Sequence, residues 1–295
     1  MKKILITGSN GQLGSECFNF FNKKNEPIEV MGLDISTFDF SNKKVCENLL
    51  NVYKPNIIIN CAAYTAVDKC EIDANCWKAN FDIPKYLSSW SNQNDTFLIH
   101  ISTDYVFDGE KSSNEFYVED DDVNPLSEYG RSKLEGERVI QQNMNNFAIL
   151  RTAWLYGISG SNFLKKILKL SINSNESEIK IVNDQFGSPT STTTLAKQID
   201  IICRKRLKGI YHTSSEGKCS WYDFAVACVE KINIKNRFIP CDTNELPTVA
   251  KRPKNSVLEN KNLKKINQNY FKHWKNELDD FIDCNKEVLI KELDI

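Results

Sequence analysis

The chain predicts an α/β protein built on a doubly wound parallel sheet, on three observations. Short β-rich runs alternate with helical patterns through the first half. A glycine triplet closes the first run and opens the first helix. An acidic residue ends the second run.

The elements follow in order. "KILITG" leads to a helix near 12–23, and "IEVMGLD" to a helix near 42–53. "NIIINCAA" precedes a helix near 73–93. "TFLIHIST" precedes the helix carrying "YGRSK", after which comes "FAILRTAWLYG". Apolar strands separated by helices call for right-handed crossovers and a sheet covered on both faces. Past residue 155 the texture changes. A helix near 161–173, "EIKIVNDQFGSPTS", a helix near 192–204 and "GIYHTSS" are followed by "SWYDFAVACVEKI", "RFIPCD" and a lysine- and asparagine-rich tail. The expected organisation is a Rossmann-like dinucleotide-binding domain over 1–155 and a smaller, discontinuous substrate lobe over 156–295. Segments near 192–215 are expected to return to the sheet.

The composition narrows the function classes. With 295 residues, 41% of them hydrophobic, the chain can build one large core or two modest ones. A formal net charge of -1 gives no basic surface for nucleic acid or an anionic membrane. No apolar run approaches the roughly 18–20 residues of a membrane span, and the N-terminal one falls short of the roughly 7–15 of a secretion signal. The ten cysteines form no CxxC or Cys/His cluster, so no metal site is predicted; they read as free thiols in a reducing cytoplasm.

"ILITGSNGQLGSE" sets Gly8, Gly11 and Gly14 between the first strand and the first helix. Glycines permit a tight turn and close backbone approach, and the helix N-terminus offers N–H groups to a pyrophosphate. Asp34 stands about 20 residues on, where an acid meets an adenosine ribose. A carboxylate there repels a 2′-phosphate and leans toward NADH over NADPH, although Lys43 and Lys44 follow closely. Asp39 suits the adenine end, and equally the N-cap of the next helix.

Ser102, Thr103 and Asp104 end the fourth strand, on the side of an open parallel sheet where ligands lie. Farther on, Tyr129 and Lys133 share one helical face at i and i+4. Alone, such a pair also suits a solvated surface. Beside Thr103 it suits carbonyl–alcohol redox chemistry. A free tyrosine titrates near pH 10, and a nearby ammonium lowers that toward the working range. Lys133 would hold the nicotinamide ribose, Thr103 the substrate oxygen, and Tyr129 would supply the proton.

With GxxGxxG, Thr103 and YxxxK in this order, the chain resembles the extended short-chain dehydrogenase/reductases. "INCAAYTAVDKCE", "HISTDYVFDG", "YGRSKLEGE", "LRTAWLYG", "NDQFGSPT", "GIYHTSSEGKCSWYDFA" and "RPKNSVL" together resemble the dTDP-4-dehydrorhamnose reductase family. That resemblance implies NADPH- or NADH-dependent reduction of a 4-keto-6-deoxy sugar nucleotide at C4, giving dTDP-L-rhamnose. It implies pyrophosphate contacts from Gly11, Gln12 and Leu13, and adenosine contacts from Asp39 and Phe40. Ala63, Tyr64 and Thr65 would line the cofactor. Thr103 and Asp104 would meet the sugar, and Val67 and Trp154 would embrace sugar or base, with core packing as their other reading. Asn162, Arg252 and Asn255 would contact the nucleotide. Some relatives form a homodimer around magnesium held by glutamates. Glu16 matches one such position, but Thr193 stands near where a second glutamate is needed, which speaks against the metal bridge.

Dehydratases of the superfamily need an Asp–Glu pair after the threonine, and here Tyr105 follows Asp104. Epimerases share the Tyr–Lys pair. Another 4-reductase, giving 6-deoxy-L-talose, and a non-catalytic NADP-binding regulatory subunit are the remaining alternatives.

Overall fold

The computed structural model describes the chain from residue 1 to 292, apart from 37, 41, 174–177 and 236. The first half runs β1 (Lys2–Thr7), α1 (Gln12–Asn22), β2 (Ile28–Leu33), α2 (Lys43–Tyr53), β3 (Ile57–Asn60), α3 (Val67–Cys70), α4 (Asn75–Trp77), α5 (Ile83–Gln93), β4 (Phe97–Thr103), α6 (Glu128–Asn143) and β5 (Phe147–Thr152). There follow β6 (Leu155–Tyr156), α7 (Phe163–Asn173), β7 (Ile179–Val182), β8 (Phe186–Gly187), β9 (Thr190–Ser191), α8 (Thr192–Lys205) and β10 (Gly209–His212). The chain ends with β11 (Cys219–Ser220), α9 (Trp221–Ile232), β12 (Phe238–Cys241), α10 (Lys261–Lys265) and α11 (Trp274–Glu292).

Six strands form one sheet in the order β10-β5-β4-β3-β1-β2, and every neighbouring pair is parallel. This is the doubly wound α/β sheet that the alternating elements predict. Side chains alternate between its two faces. Ile4, Ile6, Ile57 and Ile59 join the core that contains Leu195 of α8, whereas Leu5 and Ile58 join the core of Leu50, Leu87 and Ile140 from α2, α5 and α6. Each such buried aliphatic side chain contributes about 1.5–3 kcal/mol. The strand order reverses between β1 and β3, and the crevice beyond their carboxyl ends is where such a sheet binds ligands.

A third core, with Leu164 and Leu168 of α7, Phe224 of α9 and Leu278 of α11, lies under the parallel β7–β12 pair. No described helix is long and apolar enough to cross a membrane.

Two local expectations change. The helix near 73–93 is not uniform: α4 passes into a π-helical turn over Lys78–Asp82 before α5 begins. The turn leaves Asn80 buried, where its side chain serves the site described below. Nor are all ten cysteines free, because Cys70 of α3 and Cys76 of α4 are paired, with their Cα atoms 5.2 Å apart. The short α3–α4 turn brings them together, an approach that their sequence spacing does not display.

Candidate active site

The glycine turn is shaped for close approach. Gly8 has φ +65°, and a Cβ there would stand 2.9 Å from the backbone of Ala62 at the end of β3. A Cβ on Gly14 would stand 2.0 Å from the Gly8 carbonyl oxygen. Gly11 caps α1 with no side-chain bond, leaving the first N–H groups of the helix available to an anion. Leu13 is buried in the core, so only its backbone is available at that end. A cleft of about 510 Å³ opens beside the turn, lined by Gly8, Gly11, Asp34, Phe40, Ala63 and Tyr64 among others. Asp39 also lines it, while the cap of α2 is Asn42, whose Oδ1 accepts from Val45 N at 3.3 Å. The Asp34 carboxylate accepts from the N–H groups of Asn10 and Ser36 at 3.4 and 3.3 Å. Thr65, one residue past Tyr64, is exposed. The glycine cradle, the open helix end and the acid at the strand terminus together fit a dinucleotide.

Beyond β4 the reactive hydroxyls converge. Thr103 Oγ1 donates to Asp104 Oδ1 at 3.0 Å and accepts from Tyr105 N at 3.2 Å. Ser256, brought in from the C-terminal segment, donates to Asp104 Oδ2 at 2.6 Å. Tyr129 is buried and lies edge-on to Tyr105, the residue two past Thr103, with ring centroids 5.5 Å apart. Burial pushes the Tyr129 phenol up to about 12, against a downward pull from the Thr103 hydroxyl. Burial likewise pushes the Asp104 carboxyl up to about 6, opposed by the Ser256 and Thr103 bonds.

The expected lowering of Tyr129 by Lys133 is not seen in this arrangement. Lys133 is 1% exposed, and its Nζ donates to Ile101 O at 2.5 Å and meets His100 Nε2 at 3.3 Å. Burial brings the amine down to about 8, while Glu137 and Cys61 favour its charge.

α6 can present this pair because its start is anchored. Ser127 caps it through Gly130 N at 3.2 Å, and Glu128 N donates to Glu71 at 2.9 Å. Underneath, Glu137 holds Arg151 of β5 through Nη2–Oε2 at 2.7 Å, and Ser102 donates to Oε1 at 2.5 Å. Asn80 accepts from Tyr64 N at 2.9 Å and donates to Ser132 Oγ at 3.0 Å, tying the cofactor-side loop to α6. Sequence reasoning missed Asn80, His100, Glu137 and Ser256. The last three lie inside quoted motifs, and a buried polar side chain in an apolar strand was the available signal for His100.

The substrate-side residues are placed as follows. Val67 starts α3 and packs beside Tyr129. Trp154 has φ +48° and stacks on Trp221 with centroids 3.4 Å apart, so one face of the indole is already covered. Asn162 Nδ2 donates to Gln12 Oε1 and to Gly157 O, both at 2.8 Å, joining the glycine loop to the segment just before α7. Arg252 pairs with Asp68 at 3.1 Å. Asn255 Nδ2 donates to Ser112 O and Glu115 O at 2.7 and 2.8 Å, so a ligand contact there requires exchange of those bonds. Thr103, Asp104 and Tyr129 therefore lie together past the end of β4, Lys133 meets the same strand at Ile101 and His100, and Arg252 pairs with Asp68 of α3.

Residues 1–286 match the family described as RmlD substrate binding domain. The dTDP-4-dehydrorhamnose reductase of Aggregatibacter actinomycetemcomitans is 38% identical over 284 residues, covering 91% of this chain and 93% of its own. The spore coat polysaccharide biosynthesis protein SpsK of Bacillus subtilis is 35% identical over 283 residues, covering 96% and 97%. Among solved structures, a dTDP-4-dehydrorhamnose reductase ortholog from Clostridium acetobutylicum superposes with a TM-score of 0.91 at 42% identity, covering 96% of this chain and 99% of that one. The Bacillus anthracis reductase in complex with NADP gives 0.90 at 34%, with the same coverage. The chain belongs to the RmlD family of dTDP-4-dehydrorhamnose reductases, which are NAD(P)H-dependent oxidoreductases.

Proposed function

We propose that this chain reduces the C4 ketone of dTDP-4-dehydro-L-rhamnose to dTDP-L-rhamnose, with Tyr129 as proton donor. One observation carries the reading: Tyr129 is buried at the carboxyl end of β4, where Thr103 and Asp104 are hydrogen-bonded to each other. Gly8, Gly11 and the loop after β3 would hold a reduced nicotinamide dinucleotide, which would supply the hydride. Thr103 holds the ketone oxygen, and Tyr129 gives that oxygen its proton, so the carbonyl becomes a hydroxyl. A phenol pushed up to about 12 stays protonated at neutral pH, the state a donor needs. Lys133, held by Ile101 O and His100, would hold the nicotinamide ribose. Asp34 supports use of NADH beside NADPH. The substrate is a freely diffusing sugar nucleotide, and the reaction is placed in the cytoplasm.

The test follows oxidation of NADPH or NADH by the purified protein with dTDP-4-dehydro-L-rhamnose, and identifies the product against rhamnose and talose standards. A Tyr129→Phe variant should bind NADPH normally and lose about 10²–10⁴ in turnover. Turnover within threefold of the parent would remove Tyr129 as donor. A talose product would keep the chemistry and change the assigned stereochemistry.

A further inference from the structure

The structure assigns His100 a role no motif gives it: we propose that its imidazole is a positioning residue that fixes the amino group of Lys133. The inference rests on the Tyr129–Lys133 reading above and deepens it.

His100 is a middle residue of β4 and is fully buried, directly after the buried apolar run Phe97, Leu98 and Ile99. A histidine there costs desolvation of two ring nitrogens unless both find partners. Both do. Nε2 meets Lys133 Nζ at 3.3 Å, and Nδ1 meets the side-chain amide of Asn60 at 2.9 Å. Asn60 in turn bonds Thr7 Oγ1 at 2.6 Å, and Thr7 Oγ1 accepts from Ala62 N at 3.2 Å. The chain of contacts therefore crosses the sheet from α6 through β4 and β3 to β1. It ends at the loop after β3, where Ala62 lines the dinucleotide cleft.

This network constrains the protons. An ammonium on Lys133 has only hydrogens to offer, so Nε2 must accept. Nδ1 then carries the ring hydrogen, so the Asn60 amide, whose Nδ2 faces Nδ1 while its Oδ1 accepts from Thr7 Oγ1, must turn over to offer its oxygen. The imidazole cannot share the charge, since burial and the adjacent Lys133 both hold it well below its usual range. The other ionisable groups acting on Lys133 are Glu137 of its own helix, paired with Arg151 of β5, and Cys61 after β3. A neutral acceptor at Nε2 lets Lys133 stay charged in a dry site and points its amine along one line. Without it, a flexible four-carbon stem would be held only by the Ile101 carbonyl.

Two variants and a spectrum test the proposal. His100→Leu fills the volume without an acceptor, whereas His100→Gln places an amide where Nε2 stood. His100→Leu should lower kcat by about tenfold or more, leave the KM for the sugar nucleotide within threefold, and move the alkaline limb of the pH–rate profile by about one pH unit. His100→Gln should recover most of the rate and the profile. In 15N spectra of the parent protein, the His100 ring should show Nδ1 protonated and Nε2 bare. An unshifted profile in both variants, with rates following thermal stability alone, would reduce His100 to packing and overturn the proposal. A protonated Nε2 at neutral pH would do the same. Tyr129→Phe separates the two layers: if it remains active, the donor reading fails, and if it is inactive while His100→Leu is silent, only the His100 assignment fails.

Discussion

Replacing Glu137 by glutamine probes the polar layer beneath the site. The Glu137 side chain is 0% exposed and that of Arg151 4%, and the carboxylate holds the guanidinium through Nη2–Oε2 at 2.7 Å and Nε–Oε1 at 3.0 Å. Ser102 adds a third bond at 2.5 Å, while Arg151 Nη1 has no hydrogen-bond partner among the described residues. Neutralising the acid leaves a buried guanidinium with its charge uncompensated, which costs about 3–5 kcal/mol. The same change withdraws a charge that supports the Lys133 ammonium, so turnover should fall along with stability. Urea unfolding followed by tryptophan fluorescence measures the first effect, and initial rates below the unfolding transition measure the second. A Glu137→Leu, Arg151→Met pair removes both charges at similar volume and keeps an apolar contact to Phe107, over whose ring the guanidinium lies at 5.2 Å. That double variant should recover most of the lost stability and little of the lost activity. A loss below about 1 kcal/mol in the single variant, or a double variant no more stable than the single, would refute the reasoning.

Other consequences can be checked in the same assays. Asp104, held up near 6 by burial, is ordinarily an acid of pKa 3.8, so between those values the folded chain keeps a proton that the unfolded chain has released. Its contribution to stability is therefore present below the lower value and lost as pH rises through about 6; Asp104→Asn should flatten that slope and remove the matching limb of the rate profile. Asp34→Ala should shift the NADPH/NADH preference toward NADPH by about tenfold, roughly 1.4 kcal/mol, and an unchanged ratio would deny the carboxylate its role. Arg252 pairs with an Asp68 whose side chain is 42% exposed, so Arg252→Met should cost under about 1 kcal/mol of stability. If Arg252 reaches the diphosphate, the same variant raises the sugar-nucleotide KM about tenfold; an unchanged KM leaves it a structural tie.

By itself the sequence determined what depends on near neighbours. Apolar runs between helical patterns specify the parallel sheet, because each strand and crossover is written in one contiguous stretch. The glycine turn is local in the same way: Gly8, Gly11 and Gly14 act within one strand-to-helix junction. So is the Tyr129–Lys133 face, set by one turn of α6 capped at Ser127. Tertiary structure alone decided whatever depends on register between distant strands. His100 reaches Lys133, Asn60 reaches His100 and Thr7 reaches Asn60 only because β1, β3 and β4 lie side by side with Thr7 beside Asn60 and Asn60 beside His100. With both faces of the sheet apolar, no alternation in the sequence announces which polar residue points where. The π-helical turn that aims Asn80, the pairing of Cys70 with Cys76 and the arrival of Ser256 at Asp104 belong to the same class. Each joins groups whose proximity is created by packing, and a linear pattern carries no term for that.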